Sequence, residues 1–142
     1  MVLKSFMLIR KGTEEDSEEC MKLYKLDNEK YWEISDFRSS AEHADVIFLV
    51  AEEDSRIVGY ILGFVTPTKR EEALLIETRV HKEERGRGTG TKLVDAFCKE
   101  AFARGAKAVD ALIEPQHLKF YRDACNFKEV HKWIEVDRKK EN

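Results

Sequence analysis

Proline, side-chain amides and cysteine are all scarce in this chain. Two prolines among 142 residues and charges that balance in sign, though they make up 37% of the composition, exclude the signature of a disordered segment. Asn and Gln together number four (Asn28, Gln116, Asn126, Asn142) against plentiful Lys, Arg and Glu, a bias of heat-adapted proteins. The three cysteines, Cys20, Cys98 and Cys125, are odd in number and widely spaced, so buried or partly buried thiols are expected. No Cys-x-x-Cys pair exists, and His43, His81, His117 and His131 have no metal-ligand spacing; no metal is expected. Long apolar runs are missing too. The longest stretch without a charge, residues 57–68, holds two glycines and is too short to span a bilayer. The first ten residues lack the apolar core of a signal peptide. With 28 acidic and 25 basic residues the formal net charge is −3, which excludes a generally basic nucleic-acid binder. Against these absences, 42% apolar residues suffice for one packed core, and residues 1–142 read as a single soluble, cytoplasmic domain.

Hydrophobic periodicity orders the elements. Residues 6–10 read as a strand. Thr13 with Asp16 resembles a capping box with Asp in place of Glu, and a helix to about Asn28 carries Cys20, Met21 and Tyr24 on one stripe. Residues 31–42 suggest a second, short helix. Residues 46–51, 57–66 and 73–80 are strand-like and joined by short polar turns, an antiparallel meander. From Gly88 to about Arg104 an amphipathic helix places Leu93, Val94, Phe97, Cys98, Ala101 and Phe102 on one face, and Gly105 stops it. Residues 107–113 form a strand, and Pro115 opens a helix through Ala124. Asn126 suits the left-handed conformation that ends it. Val130, Ile134 and Val136 alternate with His131, Trp133 and Glu135 in a final strand. The class is mixed α/β (α+β).

The chemistry concentrates in Arg85-Gly86-Arg87-Gly88-Thr89-Gly90-Thr91, between a strand and the long helix. Glycines let backbone amides approach a ligand, and the first turn of a helix offers unpaired donors at a positive dipole end. That is how a chain holds a diphosphate, and such a site is expected here in preference to a turn that merely starts a helix. Residues 79–92 carry five basic against two acidic side chains, which agrees. A P-loop requires Gly-Lys-Ser/Thr, and Gly90 is followed by Thr91 and Lys92. A dinucleotide fingerprint requires Gly-x-Gly-x-x-Gly after a strand of a βαβ unit, and neither condition is met.

Arg85, Gly88 and Gly90, five residues past a strand ending in Val80, match the Arg/Gln-x-x-Gly-x-Gly/Ala signature of the GNAT superfamily of acetyl-CoA-dependent N-acetyltransferases, which the chain resembles. Phe120-Tyr121-Arg122-Asp123-Ala124-Cys125-Asn126-Phe127 resembles the family's Phe-Tyr-x-x-x-Gly-Phe region with one added residue or a slipped turn, and with Asn126 in place of Gly. The resemblance covers most of the chain. It implies a mostly antiparallel mixed sheet of six or seven strands, splayed at strands 4 and 5 and flanked by four helices. It implies acetyl-CoA as co-substrate, its diphosphate on the amides of residues 85–91 and its pantetheine arm along Thr78, Arg79 and Val80 as an added strand. Tyr121 matches the family's proton donor to the departing thiolate; a phenol of pKa about 10 can protonate a thiolate of about 8.5. Glu114 and His117 stand where many members carry Asn and Ala.

Attack on a thioester needs a neutral amine, whereas a Lys-type amine has a pKa of about 10.4. A base is therefore expected near the splay. Glu77, a carboxylate within the apolar run 74–80, is the first candidate; Glu72, Asp110, Glu114 and His117 are others. Residues 13–45, the expected acceptor side, hold eleven acids against four basic residues. The chain thus pairs a basic cofactor end with an acidic acceptor end, suiting a cationic amine such as a small-molecule amine, a protein N-terminus or a lysine. Glu29, Glu33 and Asp36 are the acids singled out, with Tyr24, Tyr31 and Trp32 as a cation–π wall. Two other readings stand beside the enzyme: a catalytically silent acetyl-CoA sensor module and a binder of another phosphorylated ligand. The last strand, with Trp133, is a candidate homodimer contact.

Overall fold

The computed structural model describes residues 6–27, 31–66, 71–132 and 134–141. Within them β1 (Met7–Lys11), β2 (Val46–Glu53), β3 (Arg56–Val65), β4 (Glu72–Val80) and β5 (Ala108–Ala111) form one sheet in sequence order. The first three pairings are antiparallel and β4–β5 is parallel. The β2–β3 turn is tight because Asp54 and Ser55 both take positive φ, 51° and 63°, the geometry whose twist matches the flanking strands.

Helices cover both faces of the sheet, which is why its strands read as continuous apolar runs instead of alternating ones. On one face α1 (Ser17–Lys25) and α2 (Ile34–Glu42) bury Cys20, Leu23, Tyr24 and Phe37 against Phe48, Val50, Tyr60 and Leu62. On the other α3 (Thr89–Ala103) seats Leu93, Val94, Phe97 and Ala101 against Ile47, Val58, Ile61 and Leu75. Each Val, Leu, Ile or Phe among them contributes about 1.5–3 kcal/mol of burial. A last helical segment, α4 (115–124), begins as the 3-10 turn Pro115–His117 and widens into the π-helical turn Phe120–Ala124.

The capping motif before α1 forms: the Thr13 N–H donates to Asp16 Oδ2 at 2.8 Å. Arg10 grips both Asp16 oxygens at 2.8 Å, tying β1 to the start of α1. Asn126 ends α4 with φ 61°, as its amide side chain suggested.

Two irregularities open the sheet. Leu62 pairs with Glu77 but the adjacent Gly63 pairs with Leu75, so Ile76 is an extra, bulged residue on β4. The β4–β5 pairing joins Glu72–Leu75 to Ala108–Ala111 and goes no further. Beyond it the two strands part, which is the splay expected at strands 4 and 5.

Two expectations are corrected. The sheet has five strands among the described residues, not six or seven. Residues 126–132 and 134–141 form no strand, and Val130, Ile134 and Val136 are exposed. Alternation there is real, but the segment has no sheet partner among the described residues, and alternation alone does not hold a strand. Trp133, the dimer contact candidate, and Glu29 lie outside the described residues. Among the described residues no helix is long and apolar enough to cross a membrane.

Candidate active site

The gap between β4 and β5 continues into a cavity of about 890 Å³. Its walls come from the end of α1, the entry to α2, the β4 edge, the loop before α3, the first turn of α3 and α4.

One wall is the glycine-rich bend. Gly86 and Gly88 have φ of 81° and 84°, where a side chain would be strained, and a Cβ on either would meet nothing within 4 Å. The bend therefore presents bare backbone to open space. Gly88 caps α3, and the first helical bond runs from the Lys92 N–H to the Gly88 carbonyl. The amides of Thr89, Gly90 and Thr91 precede it and so have no acceptor in the helix. All three residues line the cavity. Gly90 has a packing role as well: a Cβ there would lie 3.2 Å from the Phe120 ring, so glycine lets α3 approach α4. Arg87 is not among the lining residues; its guanidinium pairs with Glu84 at 2.8 Å.

The β4 edge is the second wall. The His81 N–H donates to Val58 on β3. Backbone groups alternate along a strand, so those of Val80 and Thr78 face away from β3, toward the gap. Tyr121 closes the gap from α4. Its ring is buried between Phe120 and Phe127, and its hydroxyl donates to Thr78 Oγ1 at 3.1 Å. Burial raises the phenol's pKa, with the Thr78 contact partly opposing, so Tyr121 holds its proton at neutral pH. Tyr121 sits within the π-helical turn, a geometry frequent at functional sites.

The third wall is ionic. Glu77 faces inward with a side chain only 13% exposed, and its Oε1 accepts from Arg79 Nε and Nη2 at 3.1 and 2.5 Å. Arg79 Nη1 donates to Asp27 Oδ2 at 2.5 Å, and Arg85 Nη2 reaches the same carboxylate at 3.0 Å. Burial would raise the Asp27 pKa, but bonding by Arg79 and the charge of both arginines outweigh it and hold the carboxyl below the usual range. Asp27 was one acid among eleven in the sequence; only the fold brings it to Arg79, 52 positions on.

The other base candidates divide. Glu114 and His117 line the cavity, both exposed, with Glu114 accepting from Gln116. Glu72 and Asp110 do not line it. Glu72 lies at the opposite end of β4, where its carbonyl accepts from Thr66, and Asp110 is exposed on β5. The cation–π wall is also corrected. The Arg79 guanidinium covers the Tyr24 ring at 5.3 Å, and the Tyr24 hydroxyl accepts from the Tyr31 and Trp32 amides at 2.9 and 3.0 Å. Tyr24, Tyr31 and Trp32 all line the cavity, but the Tyr24 ring is already covered by Arg79 and stacked on Trp32. Glu33 and Asp36 do not line it and are engaged in capping α2, the Glu33 N–H donating to Asp36 Oδ2 at 2.7 Å.

All three cysteines are free. Burial pushes Cys125 up to about 11 and raises Cys98 and Cys20, so none is a thiolate at neutral pH. Among the described residues no cluster of three His, Cys, Asp or Glu could hold a metal ion.

The L-2,4-diaminobutyric acid acetyltransferase of Nocardia farcinica is 33% identical over 69 residues, 49% of this chain and 36% of that protein. The enzyme of the same name from Shouchella clausii is 24% identical over 120 residues, 82% of this chain and 66% of its own length. The chain thus spans about a third of the first relative and two thirds of the second. Among solved structures, an aminoglycoside N-acetyltransferase in complex with CoA superposes with a TM-score of 0.79 over 97% of this chain and 98% of its own, at 16% identity. A transcriptional regulator from Bacillus halodurans gives 0.78 over 94% and 100%, at 23% identity; both likenesses are of fold. The family model described as "Acetyltransferase (GNAT) family" matches residues 16–127, most of the chain and every element of the cavity, and the chain belongs to that family.

Proposed function

We propose that this chain is a cytoplasmic N-acetyltransferase that moves the acetyl group of acetyl-CoA to a cationic primary amine by direct attack in a ternary complex. The observation that carries the reading is the convergence on one cavity of the three helix-start amides, the open β4 edge and the Tyr121 hydroxyl. The residues fit a CoA thioester. The amides of Thr89, Gly90 and Thr91 take the diphosphate at the positive end of α3, and Thr78 and Val80 offer strand-type hydrogen bonds to the pantetheine amides. The bound co-substrate supplies an activated acetyl group on a thiol leaving group.

The chain's residues handle the protons. Tyr121, buried and protonated, gives its proton to the sulfur as the C–S bond breaks and the N–C bond forms. Glu77 takes the proton that the ammonium must lose, directly or through one water. A covalent route through cysteine is disfavoured by the raised thiol pKa values. The relatives named for diaminobutyrate and the structural neighbours named for aminoglycosides make polyamino compounds the first acceptors to try.

The test is release of free thiol from acetyl-CoA with L-2,4-diaminobutyrate, an aminoglycoside, diamines and peptide N-termini. The enzyme reading predicts release that depends on the amine and is lost in Tyr121→Phe. Tight acetyl-CoA binding without thiol release from any of these would favour the silent sensor.

A further inference from the structure

Asp27 stands where the two halves of the cavity meet. It follows the last turn of α1, on the acceptor side, yet both its cationic partners belong to the cofactor side, one on β4 and one at the start of the glycine bend. The two partners are held differently. Arg79, 14% exposed, is fixed by two bonds to Glu77 and by the Tyr24 ring. Arg85, 49% exposed, reaches Asp27 through a single nitrogen at 3.0 and 3.3 Å and rests its Nε on the Val80 carbonyl at 3.1 Å.

We infer that Asp27 exchanges one cation for another: Arg85, its partner here, gives way to an ammonium group of the acceptor when Arg85 turns to the diphosphate of CoA. This rests on the function proposed above. A diphosphate on the adjacent amides is a stronger and geometrically better partner for a guanidinium than a shared carboxylate. Asp27, Glu77, Arg79 and Arg85 are balanced in charge. Once Arg85 leaves, the other three carry one net negative charge, beside the carbonyl end of α1, which also favours a cation. Tyr31 and Trp32, both lining the cavity, complete a site for an ammonium group. Binding of co-substrate therefore creates the acceptor site, and the two ligands assist each other reciprocally.

The experiment is calorimetry on the full chain, with CoA and, as probe amine, 1,4-diaminobutane. In the unmodified protein saturating CoA tightens diamine binding about fivefold or more. Asp27→Asn binds CoA at least as tightly, since nothing now competes for Arg85, and shows no such coupling. Arg85→Gln binds the diamine without CoA as well as with it; this second variant decides the matter if Asp27→Asn does not fold. Diamine affinity that is immeasurable, indifferent to CoA, or equally coupled in Asp27→Asn overturns the inference while leaving the proposed function intact. Failure of the unmodified chain to bind CoA overturns the function itself.

Discussion

The Tyr121 hydroxyl donates to Thr78 Oγ1 at 3.1 Å, from α4 to the open edge of β4. These two residues are 43 positions apart and meet only because β5 stops pairing with β4 at Leu75. The bond aims a protonated phenol into the gap where the thioester sulfur is proposed to lie. Tyr121→Phe keeps the ring between Phe120 and Phe127 and removes only the proton. Turnover is expected to fall by about 10²–10⁴-fold, with CoA affinity nearly unchanged. Steady-state rates beside calorimetric titration check the split; an equal loss of both would mean a structural role.

Gly88 holds φ at 84° with no neighbour near its missing side chain. Gly88→Ala therefore meets no clash and suffers only the backbone penalty of a left-handed residue, about 1–2 kcal/mol. The expected outcome is a bend that relaxes away from this geometry, with CoA affinity reduced about tenfold and a modest drop in melting temperature. Binding and thermal melts on the same sample distinguish this from general unfolding.

Phe97 is fully buried at the centre of the α3 face. Phe97→Ala is expected to cost about 3–5 kcal/mol, read as a lower urea midpoint. The cost falls on the scaffold that holds α3 against the sheet, so residual CoA binding at low temperature should track the folded fraction.

The Arg10–Asp16 pair sets a pH dependence. Bonding by Arg10, above all, lowers the Asp16 pKa in the folded chain, below an unfolded value of about 3.9. Its stabilisation is thus fully present above about pH 5. It is lost as pH falls through the folded value. Asp16→Asn should cost about 1 kcal/mol at pH 7, and the gap from the unmodified protein should shrink below pH 4. Urea titrations at the two pH values measure it, and a constant gap would contradict the assignment.

What was legible in the sequence was local. Thr13 and Asp16, three positions apart, announced a cap, Asn126 a left-handed stop, and the glycine bend its exposed amides; each depends on neighbours within a turn. The ionic wall was not legible, because no period links Asp27 on the α1 side to Arg79 on a strand. Nor was the bulge at Ile76, a register shift between β3 and β4 that no local pattern in the sequence marks. The alternating segment near Val130 shows the converse: a pattern compatible with a strand, without a partner to complete one.

The central claim is that the bend entering α3 and the open edge of β4 together bind a CoA thioester. Calorimetric titration of the chain with acetyl-CoA tests it most directly. One saturable site, weakened in Gly88→Ala and kept in Tyr121→Phe, is the predicted result. Absence of any association heat across a range of temperatures, with thermal stability unchanged by the ligand, would contradict it.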